Sequence, residues 1–329
     1  MSSQSGPDMS TSASANMSTQ ADSDMSMGLV LKNIQDFVGD LVNQIERLHE
    51  FPVSSGKYGE IWQCQLRVES EKVQVAVKSM RLPNVSQPRI RQMLLKEYYV
   101  WLKLKHTNIV RFYGMTSTFC VHPAMVTAWM RNGTLTEYLA QQYSYLKPRD
   151  RFCLINDVAS GLCYLHSNNI IHGDLTGSSV FIDESGRACL ADYGLAFINE
   201  FSAMNMTAST TDTHHGPNAA RWTAPELVLE DSDSFVRPTM SSDIYSFGCI
   251  MLQILVGQLP YWWARSSTQV ILAMAHKMLP IRDDPNVPRL HEHHVLFLKR
   301  CWGPDPHSRP SSADAAKFVA AELRKFHES

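Results

Sequence analysis

The hydrophobic pattern of this chain has a period of two in one region and a helical period in a later, longer region, and that contrast constrains the fold more than any other feature. Apolar residues alternate with polar ones from Trp62 to Val68 and again from Val73 to Val77, on either side of a polar turn. This period of two is typical of β-strands and predicts a hairpin. After Thr127 the spacing becomes helical, and helices are predicted over 154–165, 244–255 and 313–326. An α+β fold is therefore expected, with a small antiparallel-sheet lobe followed by a larger helical lobe.

Length, charge and cysteine content exclude several classes of protein. The 329 residues exceed what one hydrophobic core usually organises, so two lobes, or one large domain with a tail, are expected. With 30 basic and 32 acidic residues, the net charge of −2 gives no general attraction for nucleic acid or an anionic membrane. The most apolar run, Phe247 to Val256, has ten residues and is too short to span a bilayer. Seven scattered cysteines favour a reducing compartment, so we expect a cytoplasmic or nuclear protein without membrane insertion.

The N-terminal region divides into two parts. Residues 1–28 contain nine serines, five methionines and neither lysine nor arginine, and they lack the features of a signal or transit peptide. Such a segment buries little apolar surface, so a disordered tail is expected over 1–28. Over 29–50, apolar residues from Val30 to Leu48 recur at helical spacing. We expect an amphipathic segment there that packs on the main body.

Three features of the strand-rich region are candidates for nucleotide binding. Gly56 and Gly59 lie in a turn between strands, where glycine lets backbone amides approach a phosphate closely. Lys78 ends the hairpin on the face opposite its valines, and Glu97 falls on the apolar stripe of a helix predicted from about Pro88. A carboxylate on such a stripe needs a partner, so Lys78 and Glu97 are a candidate ion pair that aims the lysine at phosphate. The alternative is an exposed lysine with a partly exposed glutamate.

Two loops in the helical region each carry one aspartate. Asp174 lies in the run Ile170-Ile171-His172-Gly173-Asp174-Leu175-Thr176-Gly177-Ser178-Ser179-Val180-Phe181. Eighteen residues later comes Leu190-Ala191-Asp192-Tyr193-Gly194. Carboxylates on neighbouring loops suit a proton acceptor and a metal ligand, so phosphate chemistry is indicated.

Further motifs follow in a fixed order. They are Arg221-Trp222-Thr223-Ala224-Pro225-Glu226, Ser242-Asp243-Ile244-Tyr245-Ser246-Phe247-Gly248, and Cys301-Trp302 with Asp305-Pro306 and Arg309-Pro310. From Phe51 to about Phe326 the chain resembles a eukaryotic protein kinase, because the motifs occur in the order of that family. The residues around Pro225 and the pair Cys301-Trp302 resemble the corresponding motifs of the tyrosine-kinase-like group. The domain implied spans 51–326, with an N-lobe over 51–127, a hinge over 128–133 and a C-lobe over 134–326.

The resemblance implies a phosphotransferase that uses ATP and Mg²⁺ or Mn²⁺ to modify a protein substrate. Asp174, Lys78 and Glu97 would be catalytic, and Asp192 and Ser179 would hold the metal. The residues implied for ATP binding are Gly56, Gly59, Ile61, Ala76, Lys78, Thr127, Ala128, Met130 and Phe181. The resemblance also implies that Arg309 pairs with Glu226 and that Asp243 anchors the loop around Asp174.

Several positions depart from the family pattern. Ser54 replaces the first glycine of the phosphate loop, Gly173 replaces the arginine beside the catalytic aspartate, and Ser179 replaces a metal-binding asparagine. Ala219 stands where a threonine is usual in Ser/Thr kinases. Three hypotheses follow: an active kinase for Ser/Thr or Tyr hydroxyls, a nucleotide-binding pseudokinase that acts as a scaffold or allosteric partner, and a small-molecule kinase. The presence of the lysine, the glutamate and both aspartates favours the first hypothesis.

Two histidine clusters are the remaining candidates for a metal site. His291, His293 and His294 lie close together, and His214 and His215 are adjacent. No cysteine or carboxylate pattern in the sequence completes either group. We therefore expect solvated loops, the first preceding a helix over 295–300.

Overall fold

The structure is a computed structural model that describes six stretches of the chain. These are 41–56, 59–80, 98–119, 123–193, 219–229 and 236–326. The chain separates into two compact units. Unit 1 runs to Leu104 and resumes over Phe112–Ala128, and unit 2 contains Lys105–Arg111 and the residues from Trp129 onward. The tail predicted over 1–28 and the first part of the segment 29–50 lie outside the described residues.

Unit 1 is built on an antiparallel six-stranded sheet. Its strands are β1 (Ile45–Arg47), β2 (Ser54–Gly56), β3 (Gly59–Val68), β4 (Glu71–Met80), β5 (Phe112–Thr116) and β6 (Ala124–Ala128). The order is β1-β3-β4-β6-β5, and β2 also pairs with β3. The predicted hairpin is confirmed, since β3 and β4 pair from Gly59 with Met80 to Val68 with Glu71. Glu69, in the turn between them, has a positive φ of 54°.

One face of this sheet carries the apolar core of unit 1. The alternating pattern places every second residue of β3, β4 and β6 on that face. The buried members of the core are Trp62, Cys64, Leu66, Val75, Val77, Ala124 and Val126. Leu41 and Ile45 pack against it. The helical conformation indicated by the spacing over 41–48 is nevertheless wrong, because residues 42–44 form a turn and residues 45–47 form a strand that pairs with β3. Pairing with the edge of the sheet therefore overrides the local helical period.

Unit 1 also contains a cluster of aromatic side chains. Residues 98–103 are helical, and Tyr98 is fully buried with its hydroxyl donating to the Pro123 carbonyl at 3.0 Å. The Tyr98 ring lies 5.4 Å from that of Phe112, and Trp101 lies 5.7 Å from Phe112. Trp101 lies in the same helical segment and is 5% exposed. This cluster fixes the helical segment on strand β5.

Unit 2 is mainly helical, as predicted. Its helices are α1 (Leu135–Gln142), α2 (Pro148–Ser167), α3 (Met240–Val256), α4 (Ser267–Ala275), α5 (Glu292–Cys301) and α6 (Ser312–Lys325), and β7 (Val180–Ile182) pairs with β8 (Ala188–Leu190). Every residue of α3 from Ser242 to Val256 is buried, so α3 is the centre of the unit. Helix α2 packs on α3 and α6. Among the described residues, no helix has the length and apolar content needed to cross a bilayer.

The ends of these helices follow capping rules. Thr239 and Ser242 form a capping box at the start of α3, and Gly257 ends that helix with a φ of 72°. A Cβ at position 257 would also lie 2.6 Å from the Tyr143 ring. Ser311 and Asp314 cap α6 in the same way as Thr239 and Ser242 cap α3. Local chemistry therefore sets the bounds of the helices that frame unit 2.

Candidate active site

The register of the sheet in unit 1 brings four predicted site residues to one face. Ile61 pairs with Lys78 and Ala76 pairs with Thr127 across β3, β4 and β6. Directly paired residues point to the same face of a sheet, and so do residues two apart on one strand. The four share the face opposite the apolar core, and all four are half-buried. This face therefore carries the apolar side chains of Ile61 and Ala76 together with the cationic side chain of Lys78.

The glycine turn lies next to Lys78 along the strands. Gly56 pairs with Gly59 where β2 and β3 meet. Ile61, two residues after Gly59 on β3, pairs with Lys78 on β4. Gly59 has a φ of 154°, which glycine adopts far more readily than other residues. The two residues between the glycines, like Glu97, lie outside the described residues. The pairing of Lys78 with Glu97 therefore stays a prediction.

Two further residues implied for adenine binding lie at the end of β6, the strand that carries Thr127, and just beyond it. Ala128 ends β6, pairs with Val75 and is half-buried. Met130 belongs to unit 2, and its carbonyl accepts a hydrogen bond from the amide of Gly133 at 3.1 Å.

In unit 2, a buried carboxylate anchors the loop that contains Asp174. Asp243, at the first turn of α3, accepts hydrogen bonds from the amides of His172 at 2.8 Å and Gly173 at 2.9 Å. His166 Nε2 lies 2.9 Å from the same carboxylate. Asp243 is 1% exposed, so these bonds replace its lost hydration. The anchoring role predicted for Asp243 is confirmed.

His172 is the buried centre of this loop. Burial lowers the pKa of His172, and the nearby carboxylates of Asp243, Asp174 and Asp192 oppose that shift only in part. The imidazole is therefore neutral. Its Nδ1 accepts a hydrogen bond from the Asp174 amide at 3.3 Å, which places the ring proton on Nε2. The Tyr193 ring packs edge-on against the imidazole at 6.4 Å.

A short hairpin brings the second aspartate to the same place. Strands β7 and β8 pair from Val180 with Leu190, and the Ala191 amide donates to the Ser179 carbonyl at 2.9 Å. The residues before β7 and after β8 therefore lie side by side. Asp192 has a positive φ of 58°, a conformation that costs about 1 kcal/mol or more in a non-glycine residue. The hairpin therefore brings Asp192 close to the loop that contains Asp174, and both carboxylates oppose the lowering of the pKa of His172.

The Ser179 hydroxyl closes the Asp174 loop from within. It donates to the Asp174 carbonyl at 2.8 Å and accepts from the Thr176 amide at 2.8 Å. Ser179 is only 4% exposed. The hydroxyl predicted as a metal ligand thus also holds the loop backbone in place.

Phe181 lies on β7, between the buried residues Val180 and Ile182, and is itself half-buried. It pairs with Cys189 on β8 and forms an isolated bridge with Thr134. Its side chain therefore leaves the hairpin on the face opposite Val180 and Ile182.

Comparison with known proteins shows the family to which the chain belongs. A family model described as protein tyrosine and serine/threonine kinase matches residues 49–319. The chain belongs to this family. The kinase domain is 29% identical to serine/threonine-protein kinase STY17 of Arabidopsis thaliana, over 84% of this chain and 44% of that protein. It is 28% identical to the probable serine/threonine-protein kinase drkD of Dictyostelium discoideum, over 84% of this chain and 20% of that protein.

Other relatives extend the family likeness. Ephrin type-B receptor 4b of Danio rerio is 26% identical over 84% of this chain and 27% of that receptor. The chain spans less than half the length of each of these curated relatives. The family match confirms the kinase resemblance and its α+β fold, and the likeness to STY17 and drkD agrees with a tyrosine-kinase-like kinase.

A buried ion pair braces the kinase domain as predicted. Arg309 donates to both oxygens of Glu226, at 2.6 Å and 2.8 Å, and it also donates to the carbonyls of Gly303 and Ser241. The Arg309 side chain is 1% exposed, and this geometry is the strong bidentate kind. The loop that contains Pro225 is thereby fixed to the start of α3.

The sequence analysis missed a polar chain that supports the kinase's Asp174 loop. Trp222 Nε1 donates to Gln253 Oε1 at 3.2 Å, and Gln253 Nε2 donates to Thr136 Oγ1 at 3.1 Å. The Thr136 amide donates to the Gly177 carbonyl at 3.0 Å. A Cβ at Gly177 would collide with both Thr136 and Gln253. The sequence feature that could have indicated these contacts is Gln253, the one amide side chain in the apolar stretch of α3. A buried amide side chain needs hydrogen-bond partners.

Proposed function

We propose that this chain is an ATP-dependent protein kinase that transfers the γ-phosphoryl group to a serine or threonine hydroxyl of a protein. The observation that carries the proposal is the pair Asp174 and Asp192 beside the neutral, buried His172, in a loop anchored by Asp243. The names of relatives such as STY17 and STY46 support a Ser/Thr acceptor. A tyrosine acceptor is the alternative that product analysis decides.

The residues present fit a nucleotide and a divalent metal. Lys78 is a cation on a half-buried sheet face next to the Gly56 and Gly59 turn, which suits the phosphates of ATP. We assign binding of the adenine base to a set of mostly apolar residues, namely Ile61, Ala76, Thr127, Ala128, Met130 and Phe181. Asp192 offers a hard carboxylate oxygen of the kind that Mg²⁺ and Mn²⁺ prefer, with Ser179 as a weaker ligand. A bound Mg²⁺ would neutralise negative charge that develops on the phosphoryl group.

Asp174 is assigned the role of general base. It accepts the proton of the acceptor hydroxyl while the hydroxyl oxygen bonds to the γ-phosphorus and the bond to the ADP oxygen breaks. The hydrogen bond from the Asp174 amide to His172 Nδ1 fixes the position of this residue. Lys78 binds the phosphates of the nucleotide, and we retain Glu97 as its proposed partner. We further propose that the kinase works in the cytoplasm or nucleus, since its cysteines are single.

One observation favours a second candidate function, that of a nucleotide-binding scaffold. The Ser179 hydroxyl already makes hydrogen bonds within its loop, and a serine reaches less far than the asparagine usual at this position. A poorly held metal lowers the rate of transfer more than it lowers nucleotide binding.

A transfer assay tests the proposal. The purified chain is incubated with radiolabelled ATP and a mixture of protein substrates, in Mg²⁺ and separately in Mn²⁺, and the phosphorylated amino acids are then separated. We expect labelled serine or threonine, and a loss of about 100- to 10,000-fold in rate for Asp174→Asn. The melting temperature of the variant shows that it is folded. Labelling by the wild type that does not exceed that of Asp174→Asn, with either metal, would contradict the proposal and favour the scaffold.

A further inference from the structure

The C-terminal part of unit 2 contains a cluster of side chains of the kinds that ligate metals, far along the chain from Asp174 and Asp192. His293 and His294 lie at the start of α5, and Glu322 lies near the end of α6. His293 Nε2 is 2.8 Å and His294 Nε2 is 3.1 Å from the same oxygen, Glu322 Oε2. The nearest ligand-type atoms of all three residues lie within 4.8 Å of one another.

This geometry overturns the expectation of a solvated histidine loop. Helix α5 begins at Glu292 rather than near Val295, and His294 is only 6% exposed. The carboxylate missing from the local sequence comes from Glu322, which is 28 residues beyond His294. Packing of α6 against α5 supplies it, so no local pattern could have shown it.

The convergence of adjacent histidines is unusual for a helix. Consecutive helical residues point about 100° apart and do not normally face each other. Here the rings of His293 and His294 are 4.0 Å apart, and both Nε2 atoms point to one oxygen. The other carboxylate oxygen, Glu322 Oε1, is held by Lys325 at 2.6 Å. One oxygen of Glu322 is thus left to the two imidazoles.

We propose that His293, His294 and Glu322 bind a Zn²⁺-type divalent transition ion. Two imidazoles and a carboxylate are the ligand types that such ions favour. Ligands bonded to zinc at about 2.0–2.1 Å in a tetrahedron lie about 3.3 Å apart. The present separations of 2.8 Å and 3.1 Å would therefore need to widen by only a few tenths of an ångström.

The position of the cluster leaves a fourth coordination site accessible to solvent. The His293 side chain is 46% exposed, so the ion and a water ligand can reach the cluster from solvent. On the inner side, the Phe152 ring of α2 packs 5.1 Å from His294 and 5.7 Å from Phe326, at the end of α6. An ion held there would join α5 to α6 next to their contact with α2.

Zinc titration of the full chain tests this proposal. The protein is freed of metal with a chelator and titrated with Zn²⁺ in excess Mg²⁺, with calorimetry and thermal unfolding as readouts. We expect one tight Zn²⁺ per chain and a melting temperature raised by a few degrees. Co²⁺ in place of Zn²⁺ should give the visible absorption of a low-coordinate nitrogen and oxygen site.

Matched variants locate the ion. His293→Gln changes a half-exposed residue and should weaken Zn²⁺ binding about a hundredfold, and Glu322→Gln should do the same. The neighbouring His291→Gln should bind as tightly as the wild type. Asp192→Asn should also retain the tight zinc, which separates this result from any failure of the kinase assignment. Absence of stoichiometric Zn²⁺ binding, or binding that survives His293→Gln and is lost in Asp192→Asn, would overturn the proposal.

Discussion

The two units of the molecule assemble their site residues by different means. In unit 1, strand register alone brings Ile61, Ala76, Lys78 and Thr127 to one face of a sheet. In unit 2, the loop of Asp174 has little regular structure, and hydrogen bonds from residues distant in sequence hold it in place. Regular pairing needs only the alternating pattern, whereas an irregular loop needs a specific partner for each buried polar group. The consequence is that single substitutions should act differently in the two units.

The largest effect is expected at Asp243. Asp243→Ala leaves the amides of His172 and Gly173 and the imidazole of His166 without their acceptor in a buried site. We expect a loss of about 4 kcal/mol in the free energy of unfolding, together with loss of transfer activity. Chemical denaturation measures the first and the labelling assay the second. Asp243→Asn keeps one acceptor oxygen and should recover part of the stability; equal loss in both variants would show that the hydrogen bonds are not the cause.

The same difference explains what the sequence could predict. The hairpin, the sheet face that carries Lys78 and the long helices follow from periods of two and of about 3.6, and the structure agrees with them. Residues 45–47 form a strand although their apolar spacing is helical, because pairing with β3 provides backbone hydrogen bonds. The spacing of apolar side chains carries no information about such pairing. Local spacing is thus a guide only where no sheet edge competes.

Contacts between distant residues were beyond local patterns. Glu322 reaches His293 and His294 because two helices pack together, and Gln253 reaches Thr136 for the same reason. The roles of Asp243 and Arg309 came from family resemblance rather than from spacing. Site residues that depend on tertiary packing therefore needed either the resemblance or the structure.

In unit 1, the core face should be sensitive and the opposite face tolerant. Leu66→Ala removes a buried side chain, 2% exposed, and should cost about 3 kcal/mol of unfolding free energy. The adjacent Gln65 points to the other face and is half-buried, so Gln65→Ala should change stability by less than about 0.5 kcal/mol. Denaturant titration of both variants checks the contrast. Similar losses would mean that the sheet does not separate its two faces as described.

A smaller effect is expected from backbone strain beside Asp174. Gly173 has a φ of 77°, and a Cβ in that region costs about 1–2 kcal/mol. Gly186, in the β7–β8 turn, has a φ of 83° and open space around it, so Gly186→Ala reports the strain alone. Gly173→Ala and Gly186→Ala should lose similar stability, but only Gly173→Ala should slow transfer. Equal transfer rates in both variants would show that the position of Asp174 does not depend on the backbone at 173.

The smallest effect concerns pH. Because burial lowers the pKa of His172 below its value in the unfolded chain, about 6.5, the unfolded state binds more protons as the pH falls below that value. Stability should then fall by up to about 1.4 kcal/mol per pH unit. His172→Gln should reduce this slope between pH 6.5 and pH 5.5 when chemical denaturation is followed at each pH. An unchanged slope in His172→Gln would mean that the imidazole is not buried in its neutral form.

The central claim is that the loop from Asp174 to Ser179 carries phosphoryl transfer. The most direct measurement is the kcat of Ser179→Asn with saturating Mg²⁺ and ATP, since an asparagine amide can keep both hydrogen bonds to the loop and offer a better metal ligand. We predict a gain of about ten- to a hundredfold, equivalent to about 1.4 to 2.7 kcal/mol of transition-state stabilisation, with little change in ATP affinity. Asp174→Asn in the same background should abolish the gain. If Ser179→Asn is no faster than the wild type and Asp174→Asn leaves the wild-type rate unchanged, the loop does not perform the transfer.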